Sequence, residues 1–381
     1  MIPRTIFAGE HELFRESVRS FLEREVAPHH DAWERDGAVS RAVWQKAGAA
    51  GLLGCTVPEE YGGPAADFLF SAIVVEELAR IGATGPAFYL HSDIVMPYLV
   101  HYGTEEQKQR WLPGMVAGTT IGAIAMTEPG AGSDLQGIRT RAILDGNHYV
   151  LNGQKTFISN GQLADLVIVV AKTDPDERAK GISLILVERD RDGFERGRNL
   201  EKIGYKAQDT SELFFNDVRV PTSNLLGPVE GEGFIQLMQQ LPQERLLVAI
   251  RCAASIEAAL DWTLTYTQER QAFGRPIAGF QNTRFKLADA KTVAATTRTF
   301  IDRCLELHLD GALTAEDAAM AKLHATERLC EVLDDCLQLH GGYGYMWEYP
   351  IARAWADARV GRIAGGSSEI MREIIGRNLF D

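Results

Sequence analysis

The run Ala125-Met126-Thr127-Glu128-Pro129-Gly130-Ala131-Gly132-Ser133-Asp134 sets hydroxyl side chains beside two glycines. Glycine admits positive φ and lets backbone approach a bound group closely, so such a run either cradles a ligand or simply turns the chain. A second stretch, between Asn152-Gly153 and Asn160-Gly161, holds Phe157 and Ser159. Further on, Leu241-Pro242-Gln243-Glu244-Arg245-Leu246 sets a carboxylate beside a guanidinium just past a proline. Proline suits a helix start, where its missing N–H costs nothing, so Glu244 reads as a first-turn residue. An acid there is a proton acceptor or a solvated carboxylate favoured by the helix dipole. Other chemistries lack their signatures. The nine histidines form no H-E-x-x-H, so no metal site is expected, and there is no G-x-S-x-G. Cys55, Cys252, Cys304, Cys330 and Cys336 include no C-x-x-C and read as reduced, buried thiols.

These residues need a scaffold, and the pattern predicts helices, then strands, then helices. Residues 10–34 carry Leu13, Phe14, Val18, Phe21 and Leu22 at helical spacing, with Pro28 ending or kinking the helix. Helices are expected over 67–81 and 86–101, and Thr104 with Gln107 resembles a capping box opening another that runs to about Ala117. Between 121 and 220 the segments are short and β-rich. Asp145-Gly146 marks a hairpin joining 138–144 to 148–151, and 166–171, 182–187 and 213–220 read as buried strands. Long periodic stretches at 244–270, 280–310 and 314–340 predict a helical bundle.

The 381 residues exceed a usual single core, so several packed regions are expected. The divisions fall at 1–120, 121–230 and 231–381. A net charge of −13, from 52 acids and 39 bases, argues against nucleic-acid or anionic-membrane binding. No apolar stretch reaches the ~18 residues of a membrane span. The start of the chain shows no secretory signal, which gives an expectation of a cytoplasmic protein.

Five stretches, in order and over nearly the whole chain, resemble the motifs of the acyl-CoA dehydrogenase family. They are the run at 125–134, Leu151 to Gly161, Arg270-Gln271-Ala272-Phe273-Gly274-Arg275 with Gln281, Gln338 to Gly344, and Arg362 to Glu369. The resemblance implies an α+β multidomain fold: an N-terminal helical domain, a central β domain and a C-terminal four-helix bundle. It implies FAD as cofactor, held extended and completed by the adjacent subunit. Met126, Thr127, Ser133, Phe157 and Ser159 would meet the flavin portion, Phe157 standing where the family often has Trp. Arg270 would pair with the pyrophosphate of the neighbour's FAD, as guanidinium pairs with phosphate. Phe273, Gln281, Gln338, Gly341 and Gly342 would line the same cofactor, and Ser367 and Glu369 fall at contact positions in the C-terminal loop.

The implied reaction removes a proton from the α carbon of an acyl-CoA while hydride leaves the β carbon, giving the trans-2-enoyl thioester. Many members carry the catalytic Glu in the C-terminal loop, where this chain has Gly365. In the long-chain and isovaleryl branches the Glu sits at the start of a bundle helix, and the matching residue is Glu244. Ser133, Arg245, Gly365 and Gly366 are the expected substrate contacts. The resemblance also implies an electron-transferring flavoprotein as acceptor and a homotetramer. An oxidase, a dehydrogenase of carrier-protein thioesters and a silent binding subunit are alternatives on the same scaffold.

Overall fold

The computed structural model describes residues 2–379. The first amphipathic stretch makes two helices rather than one, α1 (Gly9–Glu25) and α2 (Ala27–Asp36), because Pro28 takes the second position of a new helix. Next come α3 (Arg41–Ala49) and α4 (Phe68–Arg80), the latter capped by Asp67, whose carboxylate accepts from Leu69 N at 2.8 Å. A π-helical turn, Leu90–Val95, runs directly into α5 (Met96–Tyr102). The expected capping box opens α6 (Glu105–Val116): Gln107 N donates to Thr104 Oγ1 at 3.2 Å, and Thr104 N to Gln107 Oε1 at 3.1 Å.

The strands are β1 (Gly122–Ala125), β2 (Arg141–Asp145), β3 (His148–Ser159), β4 (Leu166–Lys172), β5 (Ile182–Glu188), β6 (Phe194–Asn199) and β7 (Thr210–Pro221). They form one sheet in the order β1-β4-β2-β3-β7-β6, with β5 beside β4. The Asp145-Gly146 turn joins β2 to β3 as expected, with Gly146 at φ 64°. β4 and β5 are buried on both faces, which is why they read as unbroken apolar runs. Ile168, Val170, Leu184 and Leu186 pack toward α5 and α6, while Val167, Val169, Ile185 and Val187 face the rest of the sheet.

The C-terminal region begins with α7 (Gly233–Glu269), 37 residues long. A short hairpin, β8 (Gln271–Ala272) and β9 (Arg275–Pro276), leads to α8 (Gln281–Leu309), α9 (Ala315–His340), α10 (Pro350–Ala358) and α11 (Ser368–Asn378). Here one expectation is corrected. Pro242 lies in the interior of α7, so Glu244 is about three turns into the helix and not in its first turn. Phe234, Leu237 and Leu241 continue the apolar stripe upstream, and their burial outweighs the bond that proline denies the Met238 carbonyl, a cost of ~3 kcal/mol.

A buried ion cluster ties the N-terminal helices to the bundle. Glu76 of α4 accepts from Arg4 at 2.9 Å, Arg15 at 2.9 Å and Arg298 of α8 at 2.7 Å. Burial pushes its carboxyl up, but the charges of Arg298, Arg4 and Arg15 prevail and hold it at about 2. Glu76→Gln would leave those cations without their shared anion, and we expect a loss of about 3–5 kcal/mol in denaturant unfolding. Because the folded pKa is depressed, the wild-type contribution is present above the ordinary 4.5 and disappears as pH falls toward 2.

Candidate active site

The interface of α5 and α7 is zipped by side chains. Gln243 Nε2 donates to the Asp93 carbonyl at 2.7 Å, and Gln240 Nε2 lies 3.1 Å from the Tyr102 hydroxyl. Between these contacts Tyr98, fully buried, donates its hydroxyl to Glu244 Oε1 at 2.9 Å. Glu244 itself is 8% exposed. Burial raises its carboxyl to about 7, against the opposing pull of the Tyr98 hydrogen bond and the Arg245 charge. Arg245 is 5% exposed and its Nε is buried without a partner. Burial depresses its pKa. A buried carboxylate with one occupied oxygen, next to an unsatisfied guanidinium, is an arrangement that a ligand would complete.

The C-terminal loop turns through Gly365 at φ 69° and Gly366 at φ 97°. A Cβ at Gly365 would meet nothing within 4 Å, so open space lies beside it. Lys322 of α9 donates to the Gly366 carbonyl at 2.5 Å and pins the turn. Its pKa falls to about 8, first through burial, with the Arg245 charge adding to the effect. Sequence reading missed both Tyr98 and Lys322. Ser367 caps α11 by accepting from Ile370 N at 3.3 Å, and Glu369 is exposed in that helix's first turn.

A second constellation forms where β1 ends against β3. Thr156 N donates to the Thr127 carbonyl at 2.9 Å. Beneath them Lys155, 1% exposed, donates to Glu128 at 2.8 Å and to the Met126 carbonyl at 3.0 Å. Glu128 also accepts from Arg139 N and Thr140 N. The β3–β7 register shifts between Lys155 and Ile158, and within that bulge Phe157 takes φ 61°. Positive φ strains a non-glycine residue by about 1–3 kcal/mol, and here it leaves the ring 67% exposed. Cβ atoms added at Gly130 or Gly132 would meet nothing. A strained, uncovered aromatic beside an open glycine turn, with Ser159 half-buried next to it, fits a flat ring laid against it. Ser133 is exposed on the same loop.

The far end of α7 forms a separate groove. Arg270, Gln338, Gly341, Gly342, Tyr343 and Met346 line it together. The Arg270 guanidinium lies over the Tyr343 ring at 5.4 Å. Gly341, at φ 59°, ends α9, and neither it nor Gly342 would have a neighbour for a Cβ. Phe273 is 96% exposed on the hairpin that leads to Gln281 at the start of α8. Cation, amide and bare backbone suit a phosphate-bearing cofactor. Helical rise separates Arg270 from Glu244 by about 39 Å along α7.

Comparison with known proteins bears on these features. The chain matches the acyl-CoA dehydrogenase N-terminal domain over residues 8–119, the middle domain over 123–218 and the C-terminal domain over 231–380. It is 56% identical to the mitochondrial long-chain specific acyl-CoA dehydrogenase of Sus scrofa over 99% of this chain and 88% of that one. The crystal structure of an acyl-CoA dehydrogenase from Geobacillus kaustophilus superposes with a TM-score of 0.97 at 50% identity, covering 99% and 100% of the two chains. A glutaryl-CoA dehydrogenase from Mycobacterium smegmatis, solved in complex with FADH2, gives 0.92 at 28% identity, covering 98% and 95%. The mitochondrial name of the pig relative overturns the cytoplasmic expectation. That expectation rested on the residues at the chain's start, which carry no information about compartment.

The buried Glu128–Lys155 pair predicts a specific failure. Lys155→Met would leave Glu128 unpaired, cost about 3–5 kcal/mol and release the strained Phe157 turn. We expect a lower melting temperature together with a reduced ratio of flavin to protein absorbance after purification.

Proposed function

The chain belongs to the acyl-CoA dehydrogenase family of FAD-dependent oxidoreductases, and on that premise we propose that Glu244 is the base that removes the α proton of an acyl-CoA. The observation that carries this reading is the buried carboxyl whose pKa is raised to about 7. A base poised near neutrality combines a usable ionised fraction with enough proton affinity to act. Tyr98 occupies Oε1, and Oε2 takes the proton. The backbone N–H groups of Gly365 and Gly366 are the donors we assign to the thioester carbonyl, where negative charge develops as the proton leaves. Arg245 holds the CoA side of the substrate or the loop above it, and Ser133 borders the thioester.

FAD, when bound, supplies the acceptor for the hydride that leaves the β carbon. Met126 and Thr127 contribute main-chain and hydroxyl contacts to it, Phe157 its apolar face and Ser159 a hydrogen bond, with Ser367 and Glu369 at the edge of the α11 N-terminus. Arg270, Phe273, Gln281, Gln338, Gly341 and Gly342 belong in this reading to the FAD of a neighbouring subunit. The separation along α7 supports that, as does the exposure of Phe273, Tyr345, Trp355 and Ile363, apolar side chains that an assembly would cover. We therefore take the working unit to be a homotetramer of chains divided at 1–120, 121–230 and 231–381. An electron-transferring flavoprotein is the acceptor that returns the flavin to its oxidised state.

Glu244→Gln keeps the shape and the Tyr98 contact but cannot accept a proton. It should purify yellow and lose anaerobic bleaching by acyl-CoA by roughly 10²–10⁴-fold. In the wild type, bleaching should accelerate as pH rises through about 7, where the base ionises. A yellow Glu244→Gln protein that bleaches at the wild-type rate would refute the assignment.

A further inference from the structure

Glu244 and Arg251 lie on one stripe of α7, with Val248 between them and Ser255 beyond, at spacings that keep all four on one helix face. Facing this stripe is the helical stretch that ends in α5. Tyr98 of that stretch meets Glu244, and Tyr89, nine residues earlier, meets the Arg251 end. The two helices are therefore antiparallel, with Glu244 and Arg251 about 10 Å apart along the axis. Between them Ile94 and Val248 pack on the core yet remain only half-buried.

At the far end of this stripe Arg251, Ser255 and Tyr89 line a cavity where α2, α4, α7, α9 and α10 converge. Val75, Leu78, Pro86 and Trp262 line it with apolar surface. Two polar groups in it are unsatisfied. Arg251 Nε is buried without a hydrogen-bond partner, and so is the Tyr205 hydroxyl. The Arg251 guanidinium sits over the Tyr205 ring at 5.3 Å, a contact that uses its face and leaves its N–H edge free. Tyr205 is itself held at φ 51°, a strained conformation for a non-glycine residue. The other charged groups of the cavity are committed. Asp357 accepts from Tyr205 N at 2.5 Å and from Thr84 Oγ1 at 3.1 Å, Arg353 pairs with Asp31 at 2.6 Å, and His30 accepts from Gly85 N at 3.2 Å.

We propose that this cavity receives the far end of the acyl chain and that Arg251, with the Tyr205 hydroxyl, binds a terminal carboxylate there. The preferred substrate is then the mono-CoA thioester of a dicarboxylic acid of medium length. This rests on the base assignment made above, since Glu244 sets where the thioester end lies. A methyl terminus would leave the guanidinium and hydroxyl dry and unpaired, whereas a carboxylate satisfies both with charge-assisted hydrogen bonds. The apolar walls carry the methylenes between.

The test is anaerobic flavin reduction in the FAD-loaded enzyme, with pairs of thioesters of equal carbon number, one ending in methyl and one in carboxylate, over a range of lengths. The wild type is expected to favour the carboxylate of each pair at the lengths that span the distance from Glu244 to Arg251. Arg251→Leu should lower the ratio of kcat/KM for carboxylate over methyl on the order of 30-fold. Tyr205→Phe, which keeps the ring, should lower it roughly fivefold and decides the matter if Arg251→Leu does not fold. Reduction by methyl-terminated chains alone, or a ratio unmoved in the variants that fold, overturns the terminal-carboxylate assignment and leaves the base intact. No reduction by either member of any pair overturns the base assignment as well.

Discussion

A carboxylate kept out of water is the constraint on which the rest of the site depends. Glu244 is enclosed between α5 and α7, and enclosure penalises its charge more than Tyr98 and Arg245 favour it. Its pKa is raised on folding, so the fold is most stable with the carboxyl protonated. Stability declines as pH rises from the ordinary 4.5 through about 7. Neighbouring contacts hold the enclosure shut: Gln243 on the Asp93 carbonyl and Gln240 beside Tyr102. A looser interface would admit water and return the carboxyl to its usual range.

Length is the second determinant. A helix of 37 residues carries Glu244 about a third of the way along and reaches the Arg270 groove at its end. Buried pairs fix each location: Lys155 with Glu128 under the Phe157 turn, and Lys322 on the Gly366 carbonyl. In both cases a buried cation holds a backbone turn, strained at Phe157 and made of glycine at 365–366, and groups around the turn stay open to a ligand.

Much of this was legible in the sequence. The helix–strand–helix order follows from periodicity, the β2–β3 hairpin from Asp145-Gly146, and the α6 start from Thr104 and Gln107. Glu244 stood out because Gly365 occupies the loop position of the more usual base. What escaped was long-range or locally contradictory. Tyr98 lies 146 residues from Glu244 in sequence, so no local pattern links them. β6, half-exposed and polar as FERGRN, offers no alternation to read. Pro242 suggested a helix start, yet the apolar stripe upstream carries the helix through it. Asn152-Gly153 read as a break after 151, yet β3 runs through it to Ser159, and the positive φ of Phe157 comes from the β3 bulge.

Infrared difference spectroscopy of the FAD-loaded enzyme, wild type minus Glu244→Gln, tests the dry carboxylate most directly. The protonated carboxyl band of Glu244 should disappear with a midpoint near 7 as pH is raised. A midpoint at the ordinary 4.5 would mean that water reaches the side chain, and the account of the base would be contradicted.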